Sequence, residues 1–120
     1  MLTLCAWILR YLPRPLQPAK FLRWQRRRQD WLRLKARHLK KEPCCQACGR
    51  RGELDVHHIV PVHIAPALEL CEANLITLCA SPCHLVFGHL MSYNCYNKDV
   101  RRMVAAYRAA MAKKTCLERW

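Results

Sequence analysis

The sequence predicts one small α+β domain in which two short strands lie between two helical segments. Residues 53–60 and 75–78 are short, rich in β-branched side chains and bounded by turn residues, which is typical of strands. Residues 19–41 and 97–114 carry apolar side chains at helical spacing. Paired cysteines beside both predicted strands are the third observation, because a chain of 120 residues builds only a modest core and benefits from a metal staple.

The chain carries a strong excess of positive charge. Its 21 Lys and Arg against 8 Asp and Glu give a formal net charge of +13. Such an excess on a short chain favours a polyanionic partner, with nucleic acid as the first candidate and an anionic membrane surface as the second. A merely solvated basic surface is the remaining interpretation.

The cysteine count and the start of the chain argue against secretion. Nine cysteines is an odd number, whereas a secreted disulfide scaffold needs an even set and a signal peptide. The apolar start ends at Arg10, well short of the ~20 residues of a membrane span, and has no small-residue cleavage site. We therefore predict a reduced, cytoplasmic protein. Prolines interrupt residues 1–18, which are predicted to be an arm or linker; whether it packs on the domain or precedes the true domain start stays open.

Residues 19–42 are predicted to form a basic amphipathic helix that ends before Pro43, because the residue before a proline is pushed out of the helical region. The predicted apolar face consists of Trp24, Trp31, Leu32, Ala36 and Leu39. The functional interpretation is a helix that contacts phosphates, and the alternative is a solvated helix that packs its tryptophans. The candidate nucleic-acid-binding residues are Arg23, Arg26, Arg27, Arg33, Arg37 and Lys40.

Two cysteine pairs predict a structural zinc site. Cys45 and Cys48 stand in a C-x-x-C-G turn, and Cys79 and Cys83 form a second pair that is one residue wider. Four thiolates from two turns make a closed tetrahedral site, whose binding energy contributes to folding. Cys44 is an alternative to Cys45 as a ligand. A redox dithiol is a further alternative, but it needs a thioredoxin-like frame and gives the second pair no role.

Between the cysteine pairs, the chain has His57 and His58 in V-H-H-I-V-P, then Asn74 in N-L-I-T-L-C, then His84 directly after the last paired cysteine. This ordered set resembles the HNH endonuclease family, and looks closest to compact phage-type members with a C-x-x-C-G turn and a C-H-x-x-F-G-H helix start. The resemblance covers roughly residues 24–100. It implies a ββα-metal (His-Me finger) fold and metal-dependent hydrolysis of DNA phosphodiester bonds, by nicking or double-strand cleavage.

The resemblance also implies a role for each residue. His58 would be the general base that takes a proton from the attacking water, which suits an imidazole because it titrates near neutral pH. Asn74 would hold the strand and this histidine in register through an amide hydrogen bond. His57 and His84 would bind a divalent ion that is distinct from the structural zinc, with Mg²⁺ as the default and Mn²⁺, Ni²⁺ or Zn²⁺ as alternatives.

His89 departs from the pattern of better-known members. It lies five residues after His84, with Gly88 between them, whereas a spacing of four would place two side chains on one α-helical face. The helix that carries them is predicted to run from about residue 83 to about 92. Three roles stay open for His89: a metal ligand reached through an irregular first turn, a phosphate contact, or support of the fold.

A non-catalytic zinc module that binds nucleic acid is the rival hypothesis, although it would not need His58, Asn74 and His84 together. A structure-specific or RNA nuclease would share the chemistry. The resemblance suggests a phage setting with DNA-packaging partners, and the oligomeric state stays open. The predicted map is an arm at 1–18, an HNH nuclease domain at 19–114 and a tail at 115–120, the domain comprising a basic helix at 19–42, the zinc knuckle and ββα core at 44–92 and a C-terminal helix at 97–114.

Overall fold

The structure, a computed structural model, describes residues 10, 11, 13 and 18–117, with side chains of the last helix described as far as Lys114. Most of the predicted arm and part of the predicted tail therefore lie outside the described residues. The chain divides into two compact units, one ending at Arg33 and the other beginning at Leu34. None of the helices in the described part of the chain has both the length and the hydrophobicity needed to cross a bilayer.

Helix α1 runs from Ala19 to Lys41, as the composition predicted. The predicted apolar face is wrong in part, since Trp24 and Leu32 are 49% and 52% exposed while Phe21 and Leu34 are buried. Phe21 and Leu34 lie on nearly opposite sides of the helix, so the buried positions of α1 do not form one stripe.

A two-stranded antiparallel sheet follows α1, formed by β1 (Leu54–His58) and β2 (Leu75–Cys79). Its register pairs His57 with Ile76. All five residues of β2 are buried, so this strand is the centre of the core. The sheet with a helix at each end confirms the predicted α+β class.

Helix α2 (Val100–Leu117) packs on the sheet through Val100 and Val104, which join the buried core cluster. It begins three residues after the predicted start at Asn97. Asn97 instead accepts a hydrogen bond from the Asp99 N–H at 3.0 Å and donates one to the Phe87 carbonyl at 2.9 Å. This amide therefore ties the start of α2 to the turn that follows β2.

The edge of β2 that faces away from β1 is covered by polar side chains rather than left open. The Thr77 N–H donates to Glu42 at 3.0 Å, and Arg101 donates to both Glu42 and the Leu75 carbonyl. Burial raises the pKa of Glu42, but the Thr77 N–H and the Arg101 guanidinium outweigh it and lower the pKa below 4.5. The charged carboxylate thus joins the end of α1 and the start of α2 to the central strand.

The element after β2 differs from prediction. A helix was expected from about residue 83 to 92, but the chain forms a single π-helical turn, His84–Gly88. Leu90 and Met91 then have φ of 50° and 70°, a left-handed conformation that stops any right-handed helix. The third element of the ββα arrangement is therefore short and irregular.

Candidate metal centres and catalytic histidines

The four predicted zinc ligands come together in space. The Sγ atoms of Cys45, Cys48, Cys79 and Cys83 all lie within 4.8 Å of one another. Those of Cys48 and Cys79 are 3.8 Å apart, and two thiolates on one tetrahedral zinc at about 2.3 Å would be separated by about 3.8 Å. Cys45, and not Cys44, is the member of the cluster. The donor number and spacing fit a closed zinc knuckle.

The local backbone of the first turn favours the thiolate form of Cys45. Gly49 has φ of 79°, which a residue with a Cβ adopts only with strain, so the turn needs glycine at this position. The Cys48 N–H points at the Cys45 sulfur, with a distance of 3.5 Å. Burial raises the pKa of Cys45, but backbone N–H groups of Cys48, Cys79 and Ala47 lower it to about 7. A sulfur that accepts several N–H bonds is suited to the charged form that binds metal.

Three histidines form a second cluster. His57 on β1 meets His84 and His89 from the two ends of the π-helical turn, with one ring nitrogen of each within 4.8 Å of the others. His57 Nδ1 and His84 Nε2 are 3.1 Å apart. Two ring nitrogens that share an ion at 2.0–2.1 Å would be separated by about 3.0–3.4 Å. The three nitrogens therefore fit a divalent ion.

The π-helical turn explains how His89 joins this cluster. Residues five apart share a face of a π-helix, since its hydrogen bonds run from i to i+5. His84 and His89 have that spacing, so the irregular turn directs both rings to His57. Gly88 permits the close approach, because a Cβ there would lie 3.1 Å from the Cε1 and Nε2 atoms of His57.

Burial favours the neutral form of His57 and of His84. Desolvation, assisted by the neighbouring His84 and His89, lowers the pKa of His57 to about 4. The pKa of His84 is also lowered, chiefly by burial, although the Asp55 carboxylate opposes the shift. Neutral imidazole is the form that binds metal. The His57 nitrogen that faces His84 is Nδ1, which would therefore be its ligand atom, whereas the buried Nε2 lies against Gly88 and has no hydrogen-bond partner among the described residues.

The tautomers of two histidines follow from their acceptors. His58 Nε2 lies 2.9 Å from the Glu69 carbonyl, and His89 Nδ1 lies 2.9 Å from the Cys95 carbonyl. A carbonyl only accepts, so the proton sits on His58 Nε2 and on His89 Nδ1. In the neutral rings, the lone pair is therefore on Nδ1 of His58 and on Nε2 of His89.

Asn74 bridges the chain on the far side of His58. Its Oδ1 accepts from the Val60 N–H at 2.8 Å, and its Nδ2 donates to the carbonyls of Val60 at 2.9 Å and Leu68 at 3.4 Å. The Asn74 carbonyl accepts from the Ile59 N–H. The side-chain amide thus fixes Val60 and the loop that returns to β2, and the backbone carbonyl of Asn74 fixes Ile59.

The candidate nucleic-acid-binding residues of α1 are exposed, as a phosphate-binding surface requires. Among them, Arg33 lies 3.7 Å from Asp30, and Arg37 lies 3.9 Å from Glu72. At such distances and exposures, ion pairs are weak and leave the charges available to an anion. The full set is Arg23, Arg26, Arg27, Arg33, Arg37 and Lys40.

The partners that orient the histidines were not predicted from the sequence. The Glu69 and Cys95 carbonyls are backbone groups, and no residue type signals them. Asp55, whose Oδ2 lies 3.3 Å from His84 Nδ1, did carry a signal. It stands two residues before His57, and residues two apart in a strand share a face.

Residues 45–86 match the family model of the HNH endonucleases. This confirms the resemblance over that segment, which is shorter than the predicted 24–100 and ends before His89. No curated protein and no solved structure matches the chain. Because HNH proteins are generally nucleases, the domain indicates a nuclease or nucleic-acid-binding function with metal-binding capacity. The matched segment contains the candidate residues Cys45, Cys48, His57, His58, Asn74, Cys79, Cys83 and His84.

Proposed function

We propose that the protein is a metal-dependent endonuclease that hydrolyses phosphodiester bonds of DNA. One observation carries the proposal: His57, a member of the three-histidine cluster, is followed directly on β1 by His58, whose Nε2–H is fixed by a backbone carbonyl. Adjacent residues of a strand project to opposite faces, so the two rings serve different partners. His57 would bind the ion, and His58 would act on water.

His57 and His84 would hold the divalent ion, and His89 would be the third ligand. A bound divalent ion would supply Lewis-acid stabilisation of the charge that develops on the phosphate and on the leaving 3′ oxygen. We propose Mg²⁺, for which water and phosphate oxygens would supply the remaining ligands, with Mn²⁺ and Ni²⁺ as ions that suit imidazole donors better. The four cysteines would hold a separate structural zinc.

His58 would be the general base. Its Nδ1 lone pair would accept a proton from water as the water oxygen bonds to phosphorus and the bond from phosphorus to the 3′ oxygen breaks. The Glu69 carbonyl, which holds Nε2–H, would stabilise the imidazolium that results. Asn74 would act as a positioning residue, since it fixes Val60 and the backbone that follows His58.

The basic surface supports nucleic acid as the substrate. Exposed Arg and Lys side chains on α1 would contact backbone phosphates, which gives affinity with little sequence information. A reducing cytoplasm would keep the zinc thiols from oxidation, and none of the cysteines that the structure describes is in a disulfide. A phage setting with DNA-packaging partners remains the expectation drawn from the family resemblance.

Cleavage of supercoiled plasmid tests the proposal. With Mg²⁺ or Mn²⁺, the wild type should convert supercoiled plasmid to nicked or linear DNA. His58→Ala should lower the cleavage rate by about 10²–10⁴-fold, the usual contribution of a general base. Zinc content and DNA affinity should be unchanged. His63→Ala, which removes an exposed histidine from the following loop, is the matched control and should cleave at the wild-type rate.

Two outcomes would contradict these assignments. A wild type that binds zinc and DNA but cleaves with no divalent ion would favour the rival non-catalytic binding module. Cleavage by His58→Ala at the wild-type rate would show that another group activates the water. Parallel reactions on RNA and on branched DNA would separate the substrate alternatives, because they share the chemistry.

A further inference from the structure

Asp55 lies beside the histidine cluster without belonging to it. On β1 it precedes His57 by two residues, so the two side chains share a face. Its Oδ2 lies 3.3 Å from Nδ1 of His84, and the opposite nitrogen of that ring, Nε2, lies 3.1 Å from His57 Nδ1. The His84 ring is therefore placed between a carboxylate on one side and another candidate ligand on the other.

This contact selects one tautomer of His84. An ionised carboxylate only accepts hydrogen bonds, so it favours the proton on Nδ1. The lone pair of the neutral ring is then on Nε2, the nitrogen that faces the cluster. His89 is arranged in the same way by a different acceptor, since its Nδ1–H donates to the Cys95 carbonyl and leaves the lone pair on Nε2. In each of the two rings, Nδ1–H therefore donates to an acceptor outside the cluster, and the lone pair of Nε2 is available to a metal ion.

We propose that Asp55 is a positioning residue for metal binding, which fixes the orientation and tautomer of His84 so that Nε2 is the ligand atom. Outer partners of this kind raise the basicity of a ligating histidine. They also fix the orientation of its ring before the metal binds, so less conformational freedom is lost on binding. The inference rests on the proposed function in one respect, that the histidine cluster binds a divalent ion. Asp55 acts through His84 and not on the substrate.

Its exposure indicates which property of Asp55 matters more. The side chain is 43% exposed, so solvent screens its charge, whereas the hydrogen bond to His84 depends only on geometry. Asp55→Asn keeps an oxygen that can accept from Nδ1–H and removes the charge. Asp55→Ala removes both. The pair of variants therefore separates orientation from charge.

Calorimetric titration of the zinc-loaded, untagged protein with Ni²⁺ tests the inference. Asp55→Ala should weaken Ni²⁺ binding by about 10–100-fold, the usual cost of losing such an outer partner. Asp55→Asn should remain closer to the wild type than to Asp55→Ala. His84→Ala measures the loss of the ligand itself. Asp99→Ala, which removes an exposed carboxylate that pairs with Arg102, is the matched control and should bind Ni²⁺ as the wild type does.

A second measurement needs neither cleavage nor nickel. Long-range ¹H–¹⁵N spectra of the histidine rings, recorded on zinc-loaded protein at a pH where the rings are neutral, report the tautomer directly. The wild type should show the proton of His84 on Nδ1, and Asp55→Ala should show a mixture of tautomers. A wild-type proton on Nε2 would overturn the inference even if Asp55→Ala failed to fold.

The outcomes distinguish failure of the inference from failure of the proposed function. Equal Ni²⁺ affinity in the wild type and His84→Ala would remove the histidine cluster as a metal site, and both ideas would fall. Weak binding by His84→Ala with wild-type affinity in Asp55→Ala would overturn the inference alone. Equal weakening in Asp55→Ala and Asp55→Asn would also overturn it, because charge and not orientation would then be the cause.

Discussion

The two clusters of metal-binding side chains meet at one point of the chain and are built in opposite ways. Cys83 belongs to one, and the next residue, His84, belongs to the other. The cysteine cluster offers four sulfurs, enough to saturate a tetrahedral ion, and only Cys48 is exposed. The histidine cluster offers three nitrogens, so that water and phosphate oxygens can complete the shell. Closed donor sets are typical of structural sites and open ones of catalytic sites.

The two clusters depend on each other unequally. Cys79 ends β2, which pairs with the strand that carries His57, and Cys83 directly precedes the π-helical turn, so a metal held by the cysteines would fix the backbone next to both histidine-bearing segments. The positions of the cysteines, in contrast, do not depend on a metal bound by the histidines. Loss of the cysteine cluster should therefore destroy both sites, and loss of the histidine cluster should destroy one.

The largest expected effect is that of Cys79→Ser. Structural zinc binds with an apparent free energy of about 10–16 kcal/mol, which matches or exceeds the whole stability of a typical domain, about 5–15 kcal/mol. The variant, or the wild type after chelation, should lose cooperative thermal unfolding in circular dichroism. Metal analysis of the wild type should find one tightly held zinc per chain.

His84→Ala is the matched change in the histidine cluster. It should keep the zinc and a cooperative melt while it loses cleavage. If Cys79→Ser melted like the wild type, or if the wild type contained no zinc, the cysteines would not be the support of the fold. If His84→Ala released the zinc, the claimed inequality between the clusters would be wrong.

Asn74→Ala should have the next largest effect. It tests whether the general base and the metal ligands are positioned by separate hydrogen bonds. The change leaves the N–H and C=O of Val60 without their partner, at about 1–3 kcal/mol for each group that stays buried. Urea unfolding should therefore show a loss of about 2–4 kcal/mol. Because the amide fixes the segment after His58, cleavage at saturating divalent ion should fall while Ni²⁺ affinity is kept.

Asn97→Ala is the counterpart on the ligand side. Asn97 donates to the carbonyl of Phe87, inside the turn that carries His84 and His89. Its loss should weaken Ni²⁺ binding more than it slows cleavage at saturating ion. If the two asparagine variants gave the same pattern, base and ligands would not be positioned by separate hydrogen bonds.

Glu42→Gln should have a smaller effect, one that depends on pH. Folding lowers the pKa of Glu42, so its contribution is complete above about pH 4.5 and is lost as the pH falls through the folded value. A hydrogen-bonded charge of this kind contributes about 1.5–3 kcal/mol. Urea unfolding between pH 7 and pH 3 should show Glu42→Gln less stable at neutral pH and the difference shrinking in acid.

Glu53→Gln, at an exposed turn position, is the matched control for the loss of one carboxylate. Because Glu42 supports β2, which ends in Cys79 and pairs with the strand of His57, the acid-induced loss should appear in zinc retention as well as in the unfolding curve. A difference between wild type and Glu42→Gln that stayed constant with pH would mean that the carboxylate charge is not what stabilises this edge.

Much of the fold could be predicted because it follows from local sequence. The runs that became β1 and β2 are short, contain β-branched residues and are bounded by turn residues, and α1 has the composition and the proline stop of a helix. The buried face of α1 could not be read in the same way. A helix of 23 residues offers several apolar stripes, and only the tertiary partners select Leu34 over Leu32.

The candidate site was predictable where ligands stand in paired motifs, and unpredictable where they depend on irregular backbone. The two cysteine pairs are local turns, so their spacing alone indicated one site. His89 needed the π-helical turn, and α-helical spacing therefore left its role open. The glycine before it was the available signal, since Gly88 leaves room for the His57 ring, whose atoms a Cβ would approach to 3.1 Å. The position of Asp55 on the same face of β1 as His57 could be predicted, because side chains alternate along a strand.

The smallest expected effects concern the basic helix, which should act independently of both clusters. Lys40 is exposed, whereas Lys41 Nζ lies 2.8 Å from a carboxylate oxygen of Glu72. Each phosphate contact contributes about 0.9 to the slope of log K against log salt for duplex DNA. In fluorescence anisotropy titrations, Lys40→Ala should lower that slope by about one, and Lys41→Ala by less, because Glu72 already compensates its charge.

The same titrations connect this surface to the comparison of the two clusters. His84→Ala should leave the salt slope unchanged in buffer without added divalent ion, because a neutral imidazole neutralises no phosphate. Equal losses of slope in Lys40→Ala and Lys41→Ala would mean that the pair with Glu72 breaks when DNA binds, so that α1 contacts phosphates with both lysines. An unchanged slope in both variants would mean that this end of α1 is only a solvated basic face. The phosphate contacts would then have to come from the other arginines and lysines that give the chain its net charge of +13.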